Sequence, residues 1–130
     1  VIVLDASALV DIVADRPARD AVLDRLGEPI TAPGHQLAEV SSAVARLVRV
    51  GELTPERAAG ALADAARLGQ DVVPVDEGLL LRAFALRASV RILDGLYVAL
   101  AERNQCPLVT TDGRLARSEP PCEVVYVGGD

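Results

Sequence analysis

The chain has no lysine: all 13 of its basic residues are arginine. Several enzyme classes fall with that absence. A P-loop nucleotide enzyme needs G-x-x-x-x-G-K. A phosphorelay receiver gathers acids at strand ends around Mg²⁺, but needs a lysine beside the phosphoryl group. A haloacid-dehalogenase-like phosphatase opens strand-D-x-D, and here Ser7 stands at the second Asp with the lysine again missing. Soft-metal ligands are scarce too. One histidine, His35, and two cysteines, Cys106 and Cys122, follow no C-x-x-C spacing and cannot make an ordinary four-ligand zinc site. Two isolated cysteines fit reduced thiols in a cytoplasmic protein. No apolar stretch approaches the ~18 residues of a membrane span. The start lacks the basic region and long apolar core of a secretion signal. Aromatics are limited to Phe84, Tyr97 and Tyr126, so Val, Leu, Ile and Ala must build the core.

What is present is enough for one folded unit. A chain of 130 residues, 51% hydrophobic, should bury about two-thirds of its unfolded surface and reads as a single domain over residues 1–130. The net charge of -6 opposes a broad basic surface for nucleic acid. It fits clustered metal-binding carboxylates, or a surface that meets a basic partner.

Apolar runs alternate with helical periodicities along the chain. Val1 to Leu4 reads as a strand covered on both faces. A helix follows Ser7 to about Val13, and another follows Pro17 with Val22, Leu23 and Leu26 as its stripe. Ile30 to Ala32 is a short strand. Leu37, Val40, Val44, Leu47 and Val48 recur at helical spacing up to Gly51. Thr54-Pro55-Glu56 starts a further helix: cap, proline in the first turn, acid at the positive end. Val72 to Val75 is expected as an edge strand because it contains Pro74. Asp76 caps a helix with Leu79, Leu80, Ala83, Phe84 and Leu86 available for burial. A helix over about Leu93 to Arg103, a strand Pro107 to Thr110, a helical turn Gly113 to Ala116 and a strand Val124 to Val127 complete the chain. The pattern predicts an α/β fold with a mostly parallel sheet between helical layers.

In open parallel sheets ligands bind beyond the carboxyl ends of the strands. Asp5 and Asp112 follow the two strongest apolar runs, expected to be central neighbours. Asp76, after an edge strand, reads as a cap. Two helix-borne acids stand out as well. Asp94 opens the apolar helix in RILDGLYVALAE, and Glu39 lies near the start of HQLAEVSSAV. Each alone has a bland explanation, since acids favour first turns. Together they invite another. Two carboxylates at ~5 Å repel by ~3 kcal/mol at an effective dielectric of about 20. Such a cluster calls for protons or a hard cation, Mg²⁺ or Mn²⁺. That cation would acidify a bound water and neutralise charge developing on a phosphate.

Three blocks carry a resemblance: VIVLDASALV, APGHQLAEVSSAVARLVRVGELTPERA and LDGLYVALAERNQCPLVTTDGRLAR. They resemble the PIN-domain ribonucleases, and most closely the VapC toxins of bacterial toxin–antitoxin pairs. The resemblance implies a PIN-like three-layer α/β/α fold and metal-dependent hydrolysis of RNA, with Mg²⁺ or Mn²⁺ held by Asp5, Glu39, Asp94 and Asp112. It implies cleavage to a 5′-phosphate and a 3′-hydroxyl, and arrest of translation and growth. Ser7 and Thr110 match residues that orient the carboxylates. Gly95 stands where Ala is common, and Leu93 where Tyr is often seen; neither change removes a ligand. Implied partners are an RNA substrate, a VapB-like antitoxin with a basic tail, and a second copy of the chain, giving a homodimer and a heterotetramer or larger assembly. Arg114, two residues after Asp112, and Arg16, after the first helix, are candidate phosphate contacts. His35 reads as structural or merely exposed, although, four residues before Glu39, it reaches the same cleft if its helix begins early. The alternatives are a PIN-like housekeeping ribonuclease and a non-catalytic acidic α/β interaction module whose acids are only caps.

Overall fold

A computed structural model describes residues 1–128; positions 129 and 130 of the expected domain lie outside the described residues. In chain order the elements are β1 Ile2–Leu4, α1 Ala6–Val13, α2 Arg19–Leu23, β2 Ile30–Pro33, α3 Gln36–Arg49, α4 Pro55–Arg67, β3 Gln70–Val73, α5 Glu77–Ala85, α6 Ile92–Asn104, β4 Leu108–Thr110, α7 Gly113–Arg117 and β5 Val124–Tyr126. The sheet order is β3-β2-β1-β4-β5, and every pairing is parallel.

The short apolar strands work because both faces of the sheet are covered. Along β1, Ile2 and Leu4 enter one core with Leu9, Val22, Val40 and Val44. Val3, pointing the other way, enters a second core with Leu79, Leu96, Leu100 and Leu108. The period of two in a strand thus feeds two helical layers. Helix α3 is amphipathic: Val40 and Val44 are buried and Leu37, Leu47 and Val48 pack at the edge of the core. It ends at Gly51, whose φ of +79° suits the left-handed turn that closes a helix. Helix α6 is apolar nearly all round, with Asp94 through Ala101 buried, as expected of a core helix.

Three expectations shift. Strand β3 spans Gln70–Val73, two residues earlier than the apolar run. Its ladder with β2 ends at the Pro33–Val73 pair, because Pro74 has no N–H with which to continue it. The edge position itself is observed. Helix α2 stops at Leu23, leaving Leu26 in the turn that follows. On α5, Leu79 and Ala83 are buried, but Leu80 and Phe84 remain half exposed. Among the described residues no helix is long and apolar enough to cross a membrane.

The sheet order sends the chain from β1 outward to β2 and β3, then back across to β4 and β5. The crossovers therefore diverge between β1 and β4, the topological switch point where α/β sheets open a crevice. Asp5 follows β1 and Asp112 lies just beyond β4.

Candidate active site

A cleft of about 300 Å³ lies at this switch point, and Asp5, Glu39, Asp94 and Asp112 all line it. Asp5 is 3% exposed. It caps α1 through Oδ1, which accepts the Ala8 N–H at 2.9 Å and the Ser7 hydroxyl at 2.7 Å. Its Oδ2 accepts the Thr110 hydroxyl. Burial pushes its carboxyl up to about 6 despite these donors, and the nearby Asp112 charge adds to the rise. Asp112 caps α7, with Oδ1 accepting the Arg114 N–H at 2.9 Å. The Thr110 hydroxyl oxygen accepts the Asp112 N–H at 3.0 Å, and the Ser7 hydroxyl oxygen accepts the Thr111 N–H at 3.2 Å. Capping and a place in the cleft are thus compatible for both acids: one oxygen of each carboxylate caps the start of a helix while the group as a whole lines the cleft.

The two helix-borne acids face them. Asp94, in the first turn of α6, is 9% exposed. Its Oδ2 lies 3.3 Å from the Arg91 guanidinium and 3.5 Å from that of Arg114. Burial raises its carboxyl, with Arg91 and Arg114 opposing. Arg114 also reaches Asp112 Oδ2 at 2.9 Å. Burial would raise Asp112 as well, but its hydrogen bonds from Arg114 prevail and hold it below the ordinary carboxylate range. Glu39 accepts the Tyr97 hydroxyl at 2.7 Å and lies 3.4 Å from His35 Nε2. Burial raises Glu39 too, yet the hydrogen bonds from His35 and Tyr97 leave it lowered overall. Burial and the Glu39 carboxylate push the Tyr97 phenol far up, so its hydroxyl stays protonated and serves Glu39 as a donor.

Arg114 lines the cleft; Arg16 does not, and instead bonds Glu52 at 2.6 Å. His35 directly precedes α3, which begins at Gln36; it does not line the cleft, and its ring packs on Tyr97 instead. Arg46, Arg91 and Tyr97 also line the cleft and were not singled out from the sequence. Tyr97 had a signal: it is three residues after Asp94, on the same helical face, and one of only three aromatics.

Among the described residues no three His, Cys, Asp or Glu side chains are close enough as placed to hold one ion. The donor set nevertheless suits a hard cation, being all carboxylate oxygen. The guanidinium of Arg114, which reaches both Asp94 and Asp112, shows that the space between these two acids draws positive charge. Four acids, an all-oxygen donor set and three arginines thus line one cleft.

The chain is similar to known proteins in both sequence and structure. The family model described as PIN domain matches residues 2–119. The chain is similar to ribonuclease VapC3 of Mycobacterium tuberculosis, 42% identical over 130 residues, with 95% of this chain and 91% of that protein covered. In structure it is similar to a toxin–antitoxin complex from Klebsiella pneumoniae, with TM-score 0.69, 18% identity and 98% of each chain covered. It is also similar to Mycobacterium tuberculosis VapC20, a sarcin–ricin loop cleaving toxin, with TM-score 0.70, 15% identity, and 92% of this chain and 95% of that one covered.

Proposed function

Because this chain belongs to the PIN-domain family and is a ribonuclease of the VapC toxin type, we propose that it hydrolyses RNA phosphodiesters at the four-carboxylate cleft with Mg²⁺ or Mn²⁺. The observation that carries the proposal is the convergence of Asp5, Glu39, Asp94 and Asp112 on one cleft from four separate stretches of chain. Repulsion among carboxylates that share one cleft, two of them buried, is a standing cost, and a bound cation removes it.

When bound, a divalent ion supplies an acidified water and charge neutralisation at the phosphate. The chain's own residues do the rest. Asp5 is held in one orientation by Ser7, Ala8 and Thr110, which spares the site reorganisation during reaction. Asp112 is fixed by its place at the start of α7. Arg114 is 52% exposed and can exchange its carboxylate partners for a phosphate oxygen of the substrate. Arg46 and Arg91 line the same cleft and extend this positive character within a chain of net charge -6.

The toxin role brings a partner. A basic antitoxin tail is the complementary ligand for an acidic cleft of this kind, and the likeness to a solved toxin–antitoxin complex supports such a pairing. A second copy of the chain and an intracellular site of action complete the reading. Purified protein should cleave RNA with Mg²⁺ or Mn²⁺ and stop on addition of a chelator, and Asp5→Asn should not cleave. Cleavage that persists in chelator overturns the metal dependence. Expression in growing bacteria should arrest growth unless the antitoxin is co-expressed; unhindered growth by a folded, active chain overturns the toxin role.

A further inference from the structure

The two helix-borne acids, Glu39 on α3 and Asp94 on α6, are tied together by two side chains that the carboxylate set does not include. His35 Nε2 lies 2.9 Å from the carbonyl oxygen of Leu93, the residue before Asp94, and 3.4 Å from Glu39 Oε1. Both neighbours are acceptors, so Nε2 carries the proton. Nδ1 is buried with no hydrogen-bond partner; as the unprotonated nitrogen of that tautomer it has no N–H to satisfy. Tyr97, one turn along α6 from Asp94 and 1% exposed, donates to the same Glu39 oxygen at 2.7 Å. The two rings pack with centroids 4.7 Å apart. The start of α3 and the start of α6 are thus braced at the level of the cleft.

We infer that the His35–Tyr97 pair is a positioning device that sets the direction of the Glu39 carboxylate and its spacing from Asp94, and so the affinity of the site for a divalent cation. Neither ring need touch RNA. Without the brace, Glu39 sits on an amphipathic helix with its side chain free to turn toward solvent. With it, one carboxylate oxygen accepts the Tyr97 hydroxyl and lies 3.4 Å from the His35 ring, and the other is left for the cation. The inference rests on the proposed metal-dependent reading of the cleft. It goes beyond that reading in giving work to residues that are not ligands.

The test is calorimetric titration of Mn²⁺ into the full chain, compared across wild type, Tyr97→Phe, His35→Ala, His35→Gln and Glu39→Gln, with cleavage followed in parallel. Tyr97→Phe keeps the buried ring and removes only the donor. It should weaken Mn²⁺ binding by about tenfold or more, the usual effect of losing a partner that orients a metal ligand. Cleavage at low Mn²⁺ should fall and recover at high Mn²⁺, while the KM for RNA stays unchanged. His35→Ala should weaken Mn²⁺ binding similarly, and His35→Gln, which keeps an N–H able to reach the Leu93 carbonyl, should restore part of the loss. Adding Tyr97→Phe to Glu39→Gln should cost no further affinity. If Glu39→Gln loses Mn²⁺ affinity while folded Tyr97→Phe and His35→Ala bind as wild type does, the brace is overturned and the metal reading stands. If Glu39→Gln binds Mn²⁺ like wild type, the ligand assignment of Glu39 falls and the brace with it. Should Tyr97→Phe not fold, the two His35 variants decide the matter by the same titration.

Discussion

Thr110 donates its hydroxyl to Asp5 Oδ2, joining residues 105 positions apart in sequence across the seam between β1 and β4. The same hydroxyl oxygen accepts the Asp112 N–H at 3.0 Å. One fully buried side chain therefore orders both strand-end acids of the cleft.

Thr110→Val removes that hydroxyl at almost constant volume. It leaves a buried carboxylate short of a donor and the Asp112 N–H short of an acceptor, at a cost of about 1–3 kcal/mol. Cleavage should drop by about ten- to a hundredfold, as is usual when a group orienting a metal ligand is lost. Thr110→Ser should keep most of the activity. Denaturant melts and an RNA cleavage assay measure both effects. Activity kept in Val and lost in Ser would mean that the methyl group, not the hydroxyl, is what matters.

Gly95, beside Asp94, permits close packing of α6 on α5. A Cβ there would lie 3.1 Å from the Cα and Cβ of Ala83 and 3.3 Å from its carbonyl oxygen. The obstacle is mostly backbone and cannot swing away. Gly95→Ala gains about 1 kcal/mol of helix propensity, against about 1–3 kcal/mol for overpacking. The variant should be less stable by about 1 kcal/mol in a thermal or denaturant melt. A stabilised Gly95→Ala would show that the helices can separate without penalty.

Asp5 and Asp112 were legible in the sequence because apolar strands in a doubly covered sheet must end at the crevice, whatever their registers. Glu39 and Asp94 were legible as acids opening helices that carry an apolar stripe. Tyr97 was not, since an aromatic inside an apolar helix reads as core; it is core, and its hydroxyl alone makes the difference. The partner of Arg16 was hidden for another reason. Glu52 is distant in sequence and comes alongside only when the turn after α3 packs near the end of α1. The displaced β3 shows the limit of hydropathy at an edge, where Val72 is 46% exposed and backbone pairing, not burial, decides the register.

Asp76 differs from the cleft acids in being a cap and a surface partner. It accepts the Leu79 N–H at 2.9 Å and pairs with Arg103 at 2.9 Å. The Arg103 hydrogen bond, helped by that N–H, holds its carboxyl down to about 2 from an ordinary 3.8. A lowered pKa in the folded state means that its stabilisation is complete above about 4 and is lost as pH falls toward about 2. Asp76→Asn should be slightly less stable than wild type at neutral pH, by a small margin because the pair is exposed. The gap should narrow between pH 4 and 2 in urea melts. A gap independent of pH would show that the carboxylate charge contributes nothing there. Cleavage at neutral pH should not change.

Arg114 joins the acids of the cleft to the substrate that must enter it. Its guanidinium pairs with Asp112 and Asp94, but as a half-exposed group it adds little to folding, so Arg114→Ala should melt within about 0.5 kcal/mol of wild type. Its loss leaves Asp94 and Asp112 without one neutralising charge, and Mn²⁺ binding should hold or strengthen. RNA binding should weaken, because a phosphate loses its planar two-pronged donor. If Arg114 contacts one phosphate of a single strand, log K against log salt should become shallower by about 0.7. Arg114→Lys should recover the salt slope and only part of the affinity, since an ammonium keeps the charge and loses the fork. The diagnostic is the opposition of the two effects, metal affinity held or raised while RNA affinity falls. An Arg114→Ala protein whose RNA affinity and salt slope match wild type would place this arginine outside the path of the substrate and leave Arg46 and Arg91, which line the same cleft, to carry the phosphate.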